Sequence, residues 1–167
     1  IQKIIKLIKI FLKRKFINFL KYSDKNFHSL SIFPSNLHKK LNKSKFDIVH
    51  LHWVQHEMIS IESIGKIQKP IVWTFHDLWP CYETSHYPEY IQSIKSSNKK
   101  SIIQKFVDKW CFERKKTSWV SSMNVVCPSK WVAQQVRKSE ITNGFDIEVI
   151  PNPIDTDIFK PLGKKIS

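Results

Sequence analysis

Residues 71–80, IVWTFHDLWP, place the polar pair His76 and Asp77 directly after a β-branched and aromatic run. Such a run predicts a strand, and the polar pair stands at its end. In open parallel sheets, ligands bind at the carboxyl ends of the strands. His76 and Asp77 are therefore the first candidate site residues, although a His-Asp pair at a strand end also forms purely structural hydrogen-bonded turns.

Strand signals of the same kind recur on both sides of this stretch. They are residues 47–53 (DIVHLHW), 124–127 (NVVC) and 147–150 (IEVI). Helix-period segments lie between the strands at residues 58–66, 100–119 and 131–139. Strands that alternate with helices form parallel βαβ units. The pattern therefore predicts an α/β fold, a Rossmann-like parallel sheet with flanking helices.

Local signals set the expected ends and buried faces of these helices. Ser129 is expected to cap the helix over residues 131–139, and Gly65 is expected to close the helix over residues 58–66 with a positive φ. The long helix over residues 100–119 has six apolar side chains available for burial: Ile102, Ile103, Phe106, Val107, Trp110 and Phe112.

The 167-residue chain carries a formal net charge of +14, from 28 Lys and Arg against 14 Asp and Glu. This excess favours an anionic partner such as a phosphorylated sugar, an acidic membrane surface or nucleic acid, although a lysine-rich composition bias would produce it too. Nucleic acid is the least favoured, because no helix-turn-helix, RNP or zinc pattern is present. With 41% hydrophobic residues, one domain with tails is expected.

The three cysteines, Cys81, Cys111 and Cys127, are widely spaced and form no CxxC pair. This usage fits reduced thiols in a cytoplasmic protein better than a disulfide framework. No apolar run reaches the roughly 18–20 residues that cross a bilayer, and lysines interrupt the N-terminal apolar stretch, which is therefore unlike a signal peptide. Because the chain starts at Ile1 rather than Met, an upstream segment is expected.

Residues 1–22 predict a basic amphipathic helix. Its apolar residues gather on one side of a helical wheel, and the basic residues gather opposite: Lys3, Lys6, Lys9, Lys13 and Arg14. Because no acidic residue precedes Asp24, one interpretation is an interfacial helix that docks on an anionic membrane surface. The alternative is a helix packed on the core with a solvated basic face.

Glycine is scarce, with Gly65, Gly144 and Gly163 the three that occur. Neither a GxGxxG fingerprint nor a GxxxxGK[ST] loop can be formed from them, which excludes dinucleotide and ATP sites of those types. His50 and His52 alternate onto one strand face and could hold a metal, but partly buried histidines with satisfied hydrogen bonds are favoured and no metal is expected.

Four sequence blocks resemble, in order, the N-terminal domain of family-4, retaining, GT-B glycosyltransferases. They are DIVHLHW (47–53), KPIVWTFHDLWP (69–80), NVVCPSKWVAQQV (124–136) and EVIPNPIDTDIFKP (148–161). The resemblance runs from about Ser29 to Pro161 and is nearest to the branch that builds exopolysaccharides and colanic-acid-like surface glycans. It implies the N-terminal half of a GT-B enzyme, whose N-terminal domain holds the acceptor and whose C-terminal domain holds the nucleotide sugar.

The resemblance also implies the site residues. His76 would contact the donor sugar near the reacting centre, and Asp77 would orient that imidazole or the local backbone. Trp79, Ser129 and Lys130 would bind substrate in the same cleft. The partners would be a nucleotide sugar and a glycan or lipid-linked acceptor, with no metal or other cofactor.

The chain departs from the family pattern, and the departures set the expected domains. Residues 1–22 would be the basic helix, residues 23–150 the Rossmann-like acceptor-side domain, and residues 151–167 the linker and the truncated start of the donor-binding domain. With the first strand and the C-terminal domain missing, transfer by the chain alone is not expected. The alternative function is a membrane- or partner-binding module without catalysis. Asn152 and Pro153 replace the usual Asn-Gly at the hinge, where proline fixes φ at about −65° and stiffens the passage.

Overall fold

The computed structural model describes residues 2–20, 27–55, 58–87, 100–119 and 123–161. Within these ranges the chain forms helices, strands and two short 3₁₀ turns. In chain order they are α1 (Gln2–Leu20), α2 (Leu37–Lys43), β1 (Val49–His52), α3 (Ile61–Gly65), β2 (Ile71–Thr74), a 3₁₀ turn (Trp79–Cys81), α4 (Ile102–Ser118), β3 (Asn124–Cys127), α5 (Lys130–Val136), a second 3₁₀ turn (Glu140–Thr142) and β4 (Asp146–Val149).

The four strands form one parallel sheet in the order β1-β2-β3-β4. Each strand lies beside the next strand in the sequence, and the crossover between them carries α3, α4 or α5 in turn. The predicted α/β parallel sheet is confirmed. All four predicted strands are present, with ends that differ from the prediction by no more than two residues.

One face of the sheet forms the core. Along β1, Val49 and Leu51 are buried whereas His50 and His52 are exposed, which is the alternation of a strand with one covered face. The inward side chains of the strands pack with apolar residues of α3 and α5 in one cluster. On β3 and β4 the opposite face carries exposed polar residues. The histidines of β1 therefore lie on the solvent side of the sheet.

Gly65 ends α3, but not with the positive φ that the sequence predicted. Among the described glycines, the positive φ belongs to Gly144, at 85°. Instead, a Cβ on Gly65 would lie 2.0 Å from the carbonyl oxygen of Ser118. Glycine is required at this position because the end of α3 lies directly against the end of α4.

The starts of α2 and α4 differ in how strongly the sequence marks them. At α4, the side chain of Ser101 and that of Gln104 cap each other's backbone, a full capping box. At α2, Asn36 makes no side-chain cap, and the apolar contacts come from the partly buried Leu37 and Leu41. The sequence did not predict α2 because the segment lacks a continuous apolar face, and Asn36, although a preferred cap residue, makes no cap.

The inward face of α4 is largely polar, which overturns the predicted burial of four apolar residues. Residues at helical spacing turn inward: Gln104, Val107, Asp108, Cys111 and Lys115. Phe112 is half-buried. The remaining four apolar residues of the prediction are 41–87% exposed: Ile102, Ile103, Phe106 and Trp110. The apolar residues that repeat along α4 therefore lie on its outer face. Its inner face is polar because it makes hydrogen bonds to the surrounding loops.

The predicted N-terminal helix is confirmed as α1, and its apolar side is exposed. Seven large apolar side chains are 40–67% exposed: Ile4, Leu7, Ile8, Phe11, Leu12, Phe16 and Phe19. At its end, Leu20 packs in a small buried cluster with Leu30, Val107 and Cys111. These seven side chains therefore do not pack on the core that the described residues form.

Five predicted membrane contacts of α1 have side chains outside the described part of the structure: Lys3, Lys6, Lys9, Lys13 and Arg14. In the ranges that the structure does describe, no helix combines the length and the apolarity that a bilayer crossing requires.

The three cysteines are free thiols and all are buried. Burial raises the pKa of Cys111 and of Cys127 to about 11, and it raises the pKa of Cys81 well above the usual range. The thiols are therefore protonated near neutral pH and act as small core side chains.

Candidate functional site

The carboxyl ends of β1 and β2 bring three histidines together. Nδ1 of His52 lies 2.9 Å from Nε2 of His76, and the two rings stack at 29° with centroids 5.3 Å apart. The ring of His50 lies 4.1 Å from that of His52, and its Nε2 is 2.9 Å from Oγ1 of Thr74. All three imidazoles are exposed, so a ligand can reach the cluster.

The pKa of His52 lies below its ordinary value of 6.5, first because desolvation disfavours the charged ring and then because His50 and His76 repel it. Its imidazole is therefore neutral at pH 7. A neutral imidazole donates from one nitrogen and accepts at the other, which suits polar recognition. Within the described ranges, no three His, Cys, Asp or Glu side chains converge as metal ligands.

Asp77 is buried and does not contact the imidazole of His76 in the way the resemblance allowed. Its Oδ2 accepts a hydrogen bond from Nε1 of Trp53 at 2.8 Å, and its Oδ1 accepts one from the backbone nitrogen of Trp79 at 3.0 Å. Asp77 instead bonds to the backbone of its own loop. Asp77 therefore holds the loop that presents His76.

His86 is a partner of Asp77 that sequence reasoning missed. Its Nδ1 lies 2.6 Å from Oδ2 of Asp77, and its Nε2 lies 2.9 Å from Oγ of Ser29. These groups stand in the order of a serine-hydrolase triad. Because Ser29 is 0% exposed and His86 2% exposed, no substrate reaches them, and the chain of bonds is structural. No sequence signal could have paired residues so far apart.

Two further contacts fix the loop around His76. The hydroxyl of Tyr87 donates to the carbonyl oxygen of His76 at 3.2 Å, and the backbone nitrogen of Leu78 donates to the carbonyl oxygen of His86 at 3.0 Å. Burial, and then the nearby charge of Asp77, raise the pKa of Tyr87, so its hydroxyl stays protonated and able to donate. The His76 backbone is thus held from both sides.

Trp79 lies in the core, which corrects the prediction that it lines the cleft. It is 0% exposed, and its Nε1 donates to the carbonyl oxygen of Ser29 at 2.8 Å. The ammonium nitrogen of Lys115 stands 3.8 Å from the centre of its ring. Trp79 therefore supports the loop from below and does not present a surface to a sugar.

Lys115 is a second buried residue that the sequence did not reveal. Its Nζ donates to the carbonyl oxygens of Trp79, Tyr82 and Glu83, which closes the turn after the candidate site. Burial lowers the pKa of Lys115 from its ordinary 10.5 to about 7. Its signal in the sequence is weak, because one more lysine among 28 Lys and Arg residues carries no pattern.

Ser129 and Lys130 lie at the carboxyl end of β3, one strand away from His76. Oγ of Ser129 accepts a hydrogen bond from the backbone nitrogen of Val132 at 3.2 Å, so the predicted cap of α5 is confirmed. Lys130 is exposed. The backbone nitrogen of Phe75 donates to the carbonyl oxygen of Val126, which joins the ends of β2 and β3. The structure thus places Ser129, Lys130 and His76 at the same edge of the sheet.

Asn152 and Pro153 follow β4 in an exposed segment. Further along, Oδ1 of Asp155 accepts hydrogen bonds from the backbone nitrogens of Asp157 and Ile158, at 2.9 and 3.3 Å. Asp155 therefore caps a surface turn. The hinge role of Asn152 and Pro153 stays a prediction.

Two surface grooves lie away from the histidine cluster. One of about 490 Å³ is bordered by α2, α3 and α4, with Glu62, Trp110 and Arg114 among its walls. Another of about 300 Å³ is bordered by Glu83 and Asp108. His76 belongs to neither groove. The side chain of His76 is exposed at the edge of the sheet.

A parallel α/β sheet with flanking helices defines a Rossmann-like domain, and exposed polar residues gather at the carboxyl edge of its sheet. The family profile described as Glycosyltransferase Family 4 matches residues 12–158. The chain therefore belongs to glycosyltransferase family 4. Searches of curated proteins and of solved structures gave no match.

Proposed function

We propose that this chain forms the acceptor-side half of a retaining GT-B glycosyltransferase. The enzyme would transfer a hexose-type sugar from a nucleotide sugar to a glycan or lipid-linked acceptor in the synthesis of an exopolysaccharide. Membership of glycosyltransferase family 4 supports the class of activity. The observation that carries the site is the exposed His76 after β2, on a loop held by the buried pair Asp77 and His86 and by the hydroxyl of Tyr87.

Each residue at the sheet edge has a distinct role in this proposal. His76 would make a polar contact to the donor sugar, and Asp77 would act indirectly by fixing the loop that presents it. Ser129 and Lys130 would contact substrate from the end of β3, where the exposed ammonium group attracts the phosphates of the donor. Such preorganised polar groups stabilise charge that develops during transfer, and no metal is needed for that.

The exposed segment at Asn152 and Pro153 would lead from this half to the donor-binding domain. Donor binding is therefore the property to measure first on the 167-residue protein.

An NMR titration of the isotope-labelled chain with UDP-, GDP- and dTDP-sugars tests the proposal. We expect chemical-shift changes at His76, Ser129 and Lys130 that disappear in His76→Ala. His38→Ala is the control, because His38 lies on α2 beside the larger groove and outside the sheet edge. Failure of every nucleotide sugar to shift these signals, or unchanged binding by His76→Ala, would overturn the assignment.

A second candidate function, docking on an anionic membrane at its cytoplasmic face, is favoured by the exposed apolar side of α1. An amphipathic helix binds a bilayer by burying such a side among the acyl chains, while lysines meet anionic headgroups. The α1 segment has many lysines and no acidic residue. This function is compatible with the first, because lipid-linked acceptors lie in the membrane.

The outer face of α4 extends the candidate membrane surface. Ile102 and Phe106 are 87% and 70% exposed, and Lys105 and Lys109 beside them are exposed as well. The side-chain amide of Gln104 donates to the carbonyl oxygen of Leu20 at 2.6 Å, which joins α4 to the end of α1. The outer face of α4 is therefore a second exposed surface that is both apolar and basic.

A further inference from the structure

The imidazole of His76 is held by a second imidazole. Nδ1 of His52 and Nε2 of His76 face each other at 2.9 Å, so one of these two nitrogens carries a proton and the other accepts it. The pair therefore has linked tautomers. Whichever ring donates at this contact decides which nitrogen of His76 is left to donate or accept elsewhere.

The strand geometry fixes His52 for this task. His52 pairs in register with Thr74, two residues before His76, so the two side chains leave neighbouring strands on the same side of the sheet. The ring of His50 packs against that of His52 and is itself anchored to Oγ1 of Thr74. His52 thus lies on a strand of the sheet, not in a loop, and the paired strands β1 and β2 fix the position of its ring.

We propose that His52 is a positioning residue for His76. In this arrangement Nδ1–H of His52 donates to Nε2 of His76, and the proton of His76 resides on Nδ1, the nitrogen that takes no part in the bond. The inference rests on the proposed function, in which the ligand of His76 is a nucleotide sugar. Hydroxyl, ring and phosphate oxygens of that ligand are acceptors, so a donating Nδ1–H recognises them, whereas a bare nitrogen lone pair repels an anionic oxygen.

The low pKa of His52 agrees with this assignment, because a neutral His52 has one N–H to offer and keeps it on the nitrogen that has a partner.

Nitrogen-15 NMR of the imidazole rings tests the inference without any sugar. In the full 167-residue chain, at a pH about one unit above the usual histidine pKa of ~6.5, we expect the signals of His76 to show the Nδ1–H tautomer. In His52→Leu, which has no donor, we expect His76 to shift toward the Nε2–H form. In His52→Asn, whose side-chain amide can donate from near the former Nδ1, we expect the Nδ1–H form to be restored.

His38→Leu serves as the control and should leave the tautomer of His76 unchanged. Because His52 is exposed at the end of a strand, its variants should keep the backbone amide spectrum of the core. An Nε2–H tautomer in the wild-type chain, or a His76 tautomer that is the same in His52→Leu, would overturn the inference. The nucleotide-sugar titration is a separate measurement, so failure of the proposed function would be recognised independently.

Discussion

The indole Nε1 of Trp53 donates a 2.8 Å hydrogen bond to Oδ2 of Asp77, which joins the end of β1 to the end of β2. The same oxygen lies 2.6 Å from Nδ1 of His86, and Oδ1 accepts from the backbone of Trp79. Trp53 makes its bond with a φ of 30°, a left-handed conformation that is uncommon for a bulky residue. One buried carboxylate therefore fixes three segments around His76.

Replacing Asp77 with Asn should destabilise the domain strongly. The amide has one oxygen where the carboxylate has two, so its NH₂ group must face a donor that now lacks a partner. We expect the free energy of unfolding to fall by about 2–4 kcal/mol, the range for breaking a buried charged hydrogen-bond network. Urea unfolding followed by tryptophan fluorescence measures this change.

Asp155→Asn is the matched control for that substitution. Asp155 is exposed and accepts two backbone hydrogen bonds in a turn, a role that Asn fills about as well as Asp. We expect its effect to stay below about 1 kcal/mol. Equal effects of the two substitutions would show that the Asp77 network contributes little to stability.

Trp79→Ala should behave as a core truncation. Trp79 is 0% exposed and packs among Trp119, His86 and Lys115, so its loss should cost about 3–5 kcal/mol of the free energy of unfolding. Trp131 is 44% exposed on α5, and Trp131→Ala should cost less than about 1 kcal/mol. If Trp79→Ala unfolded at the wild-type urea concentration, Trp79 would be a surface residue after all.

The strands and the Ser129 cap could be predicted because their signals are local. The alternation in β1 predicted that His50 and His52 share one face, although both are exposed where partly buried histidines were expected. The cap of α5 needs only residues within one turn. Parallel pairing then fixed the sheet edge at which His76 lies. Features that depend on residues close in sequence could therefore be predicted without the structure.

The interior of the loop after β2 could not be predicted because its contacts are distant in sequence. His86 bonds to Ser29, which lies 57 residues away, and Lys115 reaches carbonyl groups more than 30 residues away. Trp79 was placed in the cleft because nothing in HDLWP shows that Lys115 and Ser29 enclose it. The inward polar face of α4 arises in the same way.

Gly65 should tolerate no side chain. A Cβ at this position would lie 2.0 Å from the carbonyl oxygen of Ser118, so Gly65→Ala must push α3 and α4 apart. We expect the free energy of unfolding to fall by about 1–3 kcal/mol, as for overpacked cores. Thermal unfolding of the variant measures this loss.

Gly144 provides the contrasting control, since its φ is 85° and a Cβ added there would meet nothing within 4 Å. Asn adopts that backbone conformation more readily than other non-glycine residues, so Gly144→Asn should be tolerated whereas Gly65→Asn should not. The close approach of α3 to α4 would be disproved by a Gly65→Asn protein as stable as Gly144→Asn.

Lys115 should make stability rise with pH just above neutrality. In the folded state its pKa is about 7, against an ordinary 10.5, so above pH 7 the unfolded chain binds more protons at this residue than the folded chain does. The free energy of unfolding should therefore increase with pH, by up to about 1.4 kcal/mol per pH unit. Above pH 9 the trend should reverse, because burial raises the pKa of Cys111 and Cys127 to about 11 from 9.0.

Urea unfolding at a series of pH values between 7 and 9 measures the Lys115 contribution. In Lys115→Met the rise should be absent, whereas in Lys109→Met, which replaces an exposed lysine of the same helix, it should persist. A slope that is the same in Lys115→Met and in the wild-type chain would mean that another group causes it.

Membrane docking predicts binding to anionic vesicles that depends on both charge and exposed phenylalanines. In a flotation assay, the chain should rise with vesicles that contain phosphatidylglycerol and should not rise with vesicles of pure phosphatidylcholine. Salt at about 1 M should release the chain, because the screening length of charges falls to about 3 Å. Phe11 and Phe16 are 57% and 40% exposed on α1, so the Phe11→Ser, Phe16→Ser double variant should lose about tenfold or more in affinity. Phe46 is 69% exposed and lies outside α1 and α4. The Phe46→Ser variant should therefore bind vesicles as the wild type does. Equal binding to neutral vesicles, or equal losses in the two variants, would rule out docking through α1.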